Sequence, residues 1–292
     1  MRKLLHTIIT FAVFMFLISC ENRSNKKQFV KLEVQNQGVK IDYTDNGQGD
    51  TTLLFVHGWC INKSYWTDQV AFFSRKYRVV TMDLPGFGKS GENRTTWNTA
   101  TFGKDVNTVI AQLHLKNVIL IGHSMAGDIV VQAAINAPKE VIGLVGIDNF
   151  KNVGVGETPS RKDTLIYNQY IDSLKHHFKT LAFEYVNHDL FYKTTENSIR
   201  QRVLNDVANS DSTIAAACLE LNNFDEVTAL TKANKKLCLI NSDVKPTITS
   251  GLKAKKIPFQ VWYIHATGHF PMIEKPQEFN LILQNAINNI RG

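Results

Sequence analysis

The sequence predicts an α/β fold, in which a mostly parallel, doubly wound sheet carries helices on both faces and an inserted helical cap. Two observations support this prediction. Short β-branched apolar runs alternate along most of the chain with segments whose apolar residues recur at helical spacing. Residues 150–225 interrupt that alternation, because they are polar, mostly helical in pattern and contain no buried apolar run. The alternation predicts the sheet, and the interruption predicts the cap.

The predicted strands of the sheet are continuous apolar runs, which are typical of strands that are buried on both faces. They cover 51–56, 77–82, 118–121, 141–147, 237–240 and 259–264. Two weakly alternating runs at the start, 29–34 and 39–43, flank a turn at 36–38 and predict a pair of edge strands.

Helices are predicted from apolar residues that repeat every three to four positions. Between the strands they cover 65–73, 102–113, 129–135 and 279–290. Within the predicted cap they cover 167–183, 199–207 and 214–221. We therefore divide the chain into a signal peptide at 1–19, a tether at 20–28, a core at 29–149 and 226–292, and a cap at 150–225.

The first twenty residues differ from the rest of the chain. Arg2 and Lys3 precede a nearly apolar run at 4–18, which is short for a membrane span and has the proportions of a secretory signal. The run ends in Leu17-Ile18-Ser19-Cys20, which resembles the bacterial lipobox. The resemblance implies cleavage before Cys20 and a lipid anchor in the bacterial cell envelope, facing the periplasm or the outside. A plain signal peptide or membrane anchor with an incidental cysteine is the alternative.

Composition narrows the possible partners. The formal charge is +7 over 292 residues, but the positive charges form no block, so nucleic acid is not an expected partner. Cys60, Cys218 and Cys238 would remain beside a lipidated Cys20, and their spacing indicates neither a disulfide framework nor a metal site, although one disulfide is possible. We expect a small-molecule substrate, no metal and no cofactor. No pattern in the sequence indicates an oligomeric state.

A candidate nucleophile lies between the strand at 118–121 and the helix at 129–135. The connecting turn reads Gly122-His123-Ser124-Met125-Ala126, which fits the G-x-S-x-G nucleophile elbow with alanine in the last position. Such a turn requires small residues two positions before and after the serine, and Gly122 and Ala126 meet that requirement. The elbow would present the Ser124 hydroxyl at the sheet edge, near the positive end of a helix dipole. A glycine-punctuated turn without chemistry is the alternative.

A serine nucleophile needs a base, and the base needs an acid that orients it. Where a G-x-S-x-G elbow carries the nucleophile, the chain order is serine, acid, histidine. Among the downstream histidines, His269 follows the last strand and precedes the last helix, in the loop Ala266-Thr267-Gly268-His269-Phe270-Pro271, where Gly268 allows a close backbone approach. His269 is therefore the predicted base.

Four motifs occur in order along the chain: HGW, DLPGFGKS, GHSMAG and GHFPMIEKPQEF. Together they resemble the α/β-hydrolase superfamily, over 29–290. The resemblance implies that Ser124 is the nucleophile and His269 the base. It also implies an oxyanion hole made by the backbone N–H groups of Trp59 and Met125. Since position 124 is serine rather than aspartate, dehalogenase and epoxide-hydrolase chemistry is not expected.

The acid departs from the superfamily's commonest pattern, which places it in a G-x-x-D loop after the strand at 237–240. If Ser242 takes the place of that glycine, Lys245 stands at the expected acid position, and Asp243 comes too early. Asp148, directly after the strand at 141–147, matches an alternative site of the superfamily. We favour Asp148 over Asp243, and a loop or helix-cap role is the alternative for either.

These expectations describe a lipid-anchored serine hydrolase that cleaves an ester-like bond through an acyl-enzyme. A C–C bond hydrolase, an aminopeptidase, a cofactor-free perhydrolase and a non-catalytic binding lipoprotein remain open. The cap would set the choice of substrate, and its sequence carries no motif that names one.

Overall fold

A twisted central sheet organises the computed structural model, which describes residues 32–156, 160–220 and 224–292. The described strands are β1 (Val34–Asn36), β2 (Val39–Ile41), β3 (Tyr43–Asp45), β4 (Thr52–Val56), β5 (Arg78–Met82), β6 (Val118–His123), β7 (Val141–Ile147), β8 (Leu237–Ser242) and β9 (Phe259–Ile264). Strands β3 to β9 form one sheet in the order β3-β5-β4-β6-β7-β8-β9. Residues Glu33–Gly292 form one compact unit.

All neighbouring strands of this sheet run parallel except β3, which pairs antiparallel with β5. Every residue of β4, β6 and β8 is buried, as expected for strands covered on both faces. The predicted α/β fold is confirmed. The parallel arrangement brings the carboxyl ends of β6, β7, β8 and β9 to one edge of the sheet, where the candidate site residues follow them.

The predicted edge strands were only partly right. Residues 29–31 lie outside the described residues, and of the rest of that run only Val34 is in a strand. Strands β1 and β2 form a separate hairpin, whose turn residues Gln37 and Gly38 have φ angles of 51° and 81°, as a type I′ turn requires. The run at 39–43 is interrupted at Asp42, whose backbone carbonyl accepts from Asp83 N–H where the chain passes from β2 to β3.

Eleven α-helices lie in the described residues: α1 (Thr67–Phe73), α2 (Thr99–Gln112), α3 (Ala126–Asn136), α4 (Arg161–His176), α5 (Phe178–Tyr185), α6 (Asn197–Ala208), α7 (Ser212–Cys218), α8 (Glu226–Ala233), α9 (Ser250–Ala254), α10 (Pro271–Glu274) and α11 (Pro276–Arg291). The helix predicted at 167–183 is two helices, because the backbone turns at His177. That turn lets the Phe178 ring pack edge-on against Trp59, with ring centroids 5.9 Å apart. The first predicted helix begins with a 3-10 turn at Lys63–Trp66.

Two groups of helices flank the sheet. Helix α1 packs with α11, and α3 packs with α2 and α8. Helices α4 to α8 lie between β7 and β8 in the chain, and they touch the core at defined points. The Trp59 indole N–H donates to the Ala215 carbonyl of α7 at 2.8 Å, and the Tyr65 hydroxyl donates to Asp206 of α6 at 2.7 Å. The boundaries of the cap, 150 and 225, stay a prediction.

Gly122 tests how tightly the turn after β6 is packed. A Cβ at this position would lie 2.4 Å from the Ala126 carbonyl oxygen and 2.9 Å from a methyl of Val130. The backbone of Ala126 cannot move aside as a flexible surface side chain can. Gly122→Ala is therefore expected to lower the free energy of unfolding, measured by urea denaturation, by about 1–3 kcal/mol.

Gly91→Ala is the matched control, because the nearest atom to its Cβ would be the side-chain oxygen of Asn93 at 3.0 Å. Its effect should stay within about 0.5 kcal/mol. Equal losses for the two variants would contradict the packing argument.

Candidate active site

Ser124 occupies a strained turn between β6 and α3. Its φ angle is 55°, in the left-handed region that residues other than glycine seldom adopt, at a typical cost of about 1–3 kcal/mol. The Ser124 N–H donates to the Ile147 carbonyl at 2.9 Å, and the Ser124 carbonyl accepts from Gly127 N–H at 2.8 Å. Main-chain bonds on both sides thus hold the turn in its strained conformation, which is the backbone geometry expected of an elbow.

Asn149 also holds the turn, and the sequence analysis did not single it out. Its side-chain N–H group donates to the carbonyls of Gly122 and Ser124 at 3.0 and 3.3 Å. A Cβ at Gly127 or Gly146 would lie within 2.5 Å of the Asn149 amide. The two glycines therefore make room for the side chain that fixes the carbonyls of the elbow.

His269 and Asp148 are in direct contact at the edge of the sheet. The distance from His269 Nδ1 to Asp148 Oδ2 is 2.5 Å, and the His269 side chain is 13% exposed. A carboxylate only accepts hydrogen bonds, so Nδ1 carries the proton and Nε2 of the neutral ring can accept one. The His269 backbone N–H donates to the Leu190 carbonyl at 2.7 Å, which positions the loop. Gly268 permits this approach, because a Cβ there would lie 2.6 Å from the Leu190 oxygen.

The Asp148 carboxylate is buried and fully engaged. Its Oδ1 accepts from the Ser242 N–H at 2.8 Å and from the Ser242 hydroxyl at 2.6 Å, and it pairs with Lys151 Nζ at 2.7 Å. Burial by itself raises the pKa of Asp148, but the hydrogen bond and charge of His269, together with Lys151, outweigh burial and hold that pKa below its usual range. Asp148 therefore remains ionised throughout the neutral range.

Asp243, the other acid considered, lies with a different histidine. Its Oδ1 is 3.0 Å from His265 Nδ1, and its Oδ2 accepts from the Ala266 N–H at 2.8 Å. Its side chain is 33% exposed, and Ala266 adopts a φ of 52° in the loop that Asp243 braces. Of the two aspartates, the structure brings only Asp148 to His269.

His123 connects the elbow to the loop that carries His269. Its Nε2 lies 2.7 Å from the His269 carbonyl oxygen, so Nε2 is the protonated nitrogen. The two rings are 4.7 Å apart between centroids. Burial and, after it, the nearby His269 lower the pKa of His123 to about 3. A neutral His123 thus ties the serine turn to the histidine loop without titrating at neutral pH.

His123 precedes Ser124 in the chain and is hydrogen-bonded to the His269 carbonyl. No hydrogen bond joins Ser124 itself to His269 among the described residues. Hydrogen bonds between a nucleophile and its base are often long in unliganded enzymes and tighten when substrate binds. The structure therefore brings His269 and Asp148 together directly, and it brings Ser124 to the same edge of the sheet.

The loop after β4 faces the serine. A Cβ at Gly58 would lie 3.1 Å from Ser124 Cβ and 2.7 Å from His123 Nδ1, so only glycine permits this approach. The buried His57 fixes the loop, because its Nδ1 donates to the Gly58 carbonyl at 2.8 Å and its Nε2 accepts from Leu84 N–H at 2.9 Å. Burial lowers the pKa of His57, which keeps the ring neutral.

The backbone N–H groups of Trp59 and Met125 are the predicted oxyanion donors. Neither one donates a hydrogen bond to another residue in the described ranges. Met125 precedes the first turn of α3, where backbone N–H groups have no partner within the helix. Both groups are thus available to an acceptor outside the protein chain.

The remaining predictions concern the cysteines, the signal segment and metal binding. Cys60, Cys218 and Cys238 are buried free thiols, and burial raises the pKa of each. Cys20 and the signal segment lie outside the described residues. Within 32–156, 160–220 and 224–292 no helix is both long and apolar enough to cross a bilayer. The same ranges contain no cluster of metal-ligating side chains.

Sequence reasoning missed two partners of Asp148. Ser242 was noted only as a replacement for glycine in the loop after the predicted strand, but β8 extends through it and directs its hydroxyl to Asp148. Lys151 was not singled out. Its position three residues after an acid directly following a strand was the only available signal, and such spacing is too common to be diagnostic.

Comparison with known proteins shows one consistent pattern. A family model described as alpha/beta hydrolase fold matches residues 51–276. The non-heme chloroperoxidase CPO-A1 of Kitasatospora aureofaciens is 38% identical over 91 residues, which are 31% of this chain and 33% of that protein. The pimeloyl-[acyl-carrier protein] methyl ester esterase of Aliivibrio salmonicida is 27% identical over 204 residues, 68% of this chain and 76% of that protein.

A solved structure agrees with the fold. The thermophilic esterase of Thermogutta terrifontis, with malate bound, superposes with a TM-score of 0.75 over 89% of this chain and 99% of that chain, at 17% identity. At this identity the likeness shows the fold alone.

Asp148→Asn is expected to destabilise the protein more than Asp243→Asn. Removing the buried charge leaves Lys151 unpaired, at a cost of about 3 kcal/mol or more at pH 7, whereas the more exposed Asp243 pair should be worth at most about 1 kcal/mol. Urea denaturation of both variants measures the difference.

The contribution of Asp148 to the free energy of unfolding should decrease as the pH falls. Because the folded-state pKa of Asp148 is lowered, its contribution is complete above the unfolded value of about 4 and declines as the pH falls below it. The gap between wild type and Asp148→Asn should therefore narrow in acid. A gap that widens in acid would contradict the assigned ion pair.

Proposed function

The chain belongs to the alpha/beta hydrolase fold family, and from that membership we propose that it is a serine hydrolase that cleaves an ester-like bond of a small molecule. The observation that carries the proposal is the His269–Asp148 hydrogen bond beside a serine in a strained elbow turn. The same arrangement recurs in serine hydrolases on unrelated folds, since a serine hydroxyl needs an oriented base. The esterase relative from Aliivibrio salmonicida gives further support.

In the proposed reaction Ser124 Oγ attacks the carbonyl carbon of the substrate, and its proton passes to His269 Nε2. Asp148 holds the Nδ1–H group and stabilises the imidazolium that forms. His269 then protonates the leaving alcohol as the C–O bond breaks, which leaves an acyl group on Ser124. Water, deprotonated by His269, attacks the acyl carbon; the bond to Ser124 Oγ then breaks, His269 returns the proton to Ser124 Oγ, and the acid is released. No cofactor takes part in these steps.

The oxyanion of each tetrahedral intermediate would bind the N–H groups of Trp59 and Met125. Both groups lack partners within the described residues, and Gly58 brings the first loop close to the serine. Loss of one such donor typically costs about 2.7–4 kcal/mol of transition-state stabilisation. The two unpartnered N–H groups, one next to Ser124 in the chain and one next to Gly58, support this assignment.

The chloroperoxidase relative favours one of the alternatives, a cofactor-free perhydrolase. There hydrogen peroxide, instead of water, would attack the acyl group on Ser124 and release a peroxy acid. The nucleophile and base would be the same, so the two functions differ only in the second half of the reaction. Formation of peroxy acid from a carboxylic acid and hydrogen peroxide at a rate above ester hydrolysis would favour the perhydrolase.

We also propose that lipid on Cys20 anchors the enzyme in the bacterial cell envelope. Support comes from the sequence alone, through the charged start, the apolar run at 4–18 and the ending Leu17-Ile18-Ser19-Cys20. Each buried methylene of an acyl chain contributes about 0.8 kcal/mol, so a cysteine with several chains would anchor stably.

A fluorophosphonate probe should label the wild-type protein and should not label Ser124→Ala. The probe reacts only with a serine that a neighbouring base activates. Ser198→Ala, in an exposed part of α6, is the control and should label as wild type does. No labelling of folded wild type, or equal labelling of Ser124→Ala, would refute the assignment.

Turnover of p-nitrophenyl acetate by two variants shows whether Asp148 or Asp243 is the acid that orients His269. Asp148→Asn should lower kcat by about 10²–10⁴-fold, because asparagine favours the wrong tautomer of His269. Asp243→Asn should retain most of the wild-type kcat. The opposite order would transfer the acid role to Asp243.

Cys20→Ser is expected to move the protein from the membrane fraction to the soluble fraction when expressed in a bacterial host. Wild type should incorporate a labelled fatty acid, and the variant should not. A variant that stays in the membrane fraction as wild type does would contradict lipid anchoring and favour an uncleaved apolar segment.

A further inference from the structure

Lys151 has an unusual position, because its ammonium group contacts the carboxylate that orients His269. Lys151 Nζ lies 2.7 Å from Asp148 Oδ1, while Asp148 Oδ2 binds His269 on the other side. One carboxylate thus lies between the Lys151 ammonium group and the ring that accepts a proton in the proposed reaction. The Lys151 side chain is only 14% exposed, so solvent screens this interaction weakly.

Each hydrogen of the Lys151 ammonium group has an acceptor. Its three donors match three acceptors: Asp148 Oδ1 at 2.7 Å, the Lys245 carbonyl at 3.1 Å and the Ser242 carbonyl at 3.4 Å. The Lys151 backbone carbonyl also accepts from Ile248 N–H at 2.6 Å. Lys151 therefore joins the turn after β7 to the loop after β8, and it is held at both its main chain and its side chain.

The charge of Lys151 also reduces the field of Asp148 at His269. A carboxylate favours the imidazolium form of the ring that it binds, and an ammonium group on the other oxygen of that carboxylate offsets part of this preference. We propose, on the basis of the proposed function, that Lys151 is a positioning residue that fixes Asp148 and offsets part of its charge, so that the Asp148–Lys151 pair favours the imidazolium form of His269 less than Asp148 alone would.

Other charged groups near His269 are already engaged or neutral. They are His123 from β6, Glu274 from α10, and the Asp243–His265 pair from the loops after β8 and β9. The Glu274 carboxylate accepts from the Gly268 N–H at 2.9 Å and from the Thr195 hydroxyl at 2.7 Å. Lys151 is the cation that shares the carboxylate bound by His269.

The test compares Lys151→Met, which removes the charge, with Lys151→Arg, which keeps it. Titration of the His269 ring by carbon–proton correlation NMR, with the signal assigned from His269→Gln, gives its pKa without requiring turnover. Lys151→Met should raise the pKa of His269 by about 0.5–1 unit, and the acid limb of kcat/KM on p-nitrophenyl acetate should move by the same amount. Lys151→Arg should remain near wild type.

Two further variants sharpen the result. Lys151→Gln removes the charge but keeps two donors, and it should shift the titration as Lys151→Met does, even if the methionine variant folds poorly. Lys245→Met removes an exposed charge from the same loop, where Lys245 is 56% exposed and pairs with Asp189, and should shift it by less than about 0.2 unit.

An unchanged titration in both Lys151→Met and Lys151→Gln would overturn the proposal and leave Lys151 as a structural tie. A shift of equal size in Lys245→Met would also overturn it, because the effect would then be general. An NMR shift in a protein that neither labels at Ser124 nor turns over ester would support the coupling while refuting the proposed function.

Discussion

The contact between His269 and Asp148 depends on the register of three parallel strands. Ile147, the last residue of β7, pairs with Ile240 of β8, so Asp148 emerges beside a strand that continues for two more residues. The last residue of β8, Ser242, pairs with Ile264 of β9, whose following loop carries His269. A shift of one residue in any of these pairings would turn side chains to the opposite face and separate the acid from the base.

The parts of this arrangement that follow from local chemistry could be predicted. The buried strands are apolar on both faces, and the turn at Ser124 requires Gly122 and Ala126 for steric reasons. The histidine loop was recognisable because Gly268 and His269 lie between the last strand and the last helix. These features depend on a few neighbouring residues, and the sequence displays such residues together.

The parts that depend on distant residues could not be predicted. The choice between Asp148 and Asp243 is decided by the Ser242 donors, and these become visible only when β8 is seen to extend beyond its apolar run. The helix predicted at 167–183 is interrupted at His177, where Phe178 packs on Trp59, more than a hundred residues earlier in the chain. Similarly, the Asn149 side chain binds the carbonyls of Gly122 and Ser124, which precede it by 27 and 25 residues. Long-range packing overrides local periodicity in each case.

Trp59 belongs to two parts of the molecule at once. Its backbone N–H is a proposed donor to the reacting oxygen, while its indole N–H is bonded to the Ala215 carbonyl of α7. Helix α7 and the proposed oxyanion donor are consequently linked through one residue, so a bulky ligand that displaces α7 would also move the donor. Substrate size would then be sensed by reaction rate as well as by affinity, and selectivity would arise without any direct recognition of the distant end of the ligand.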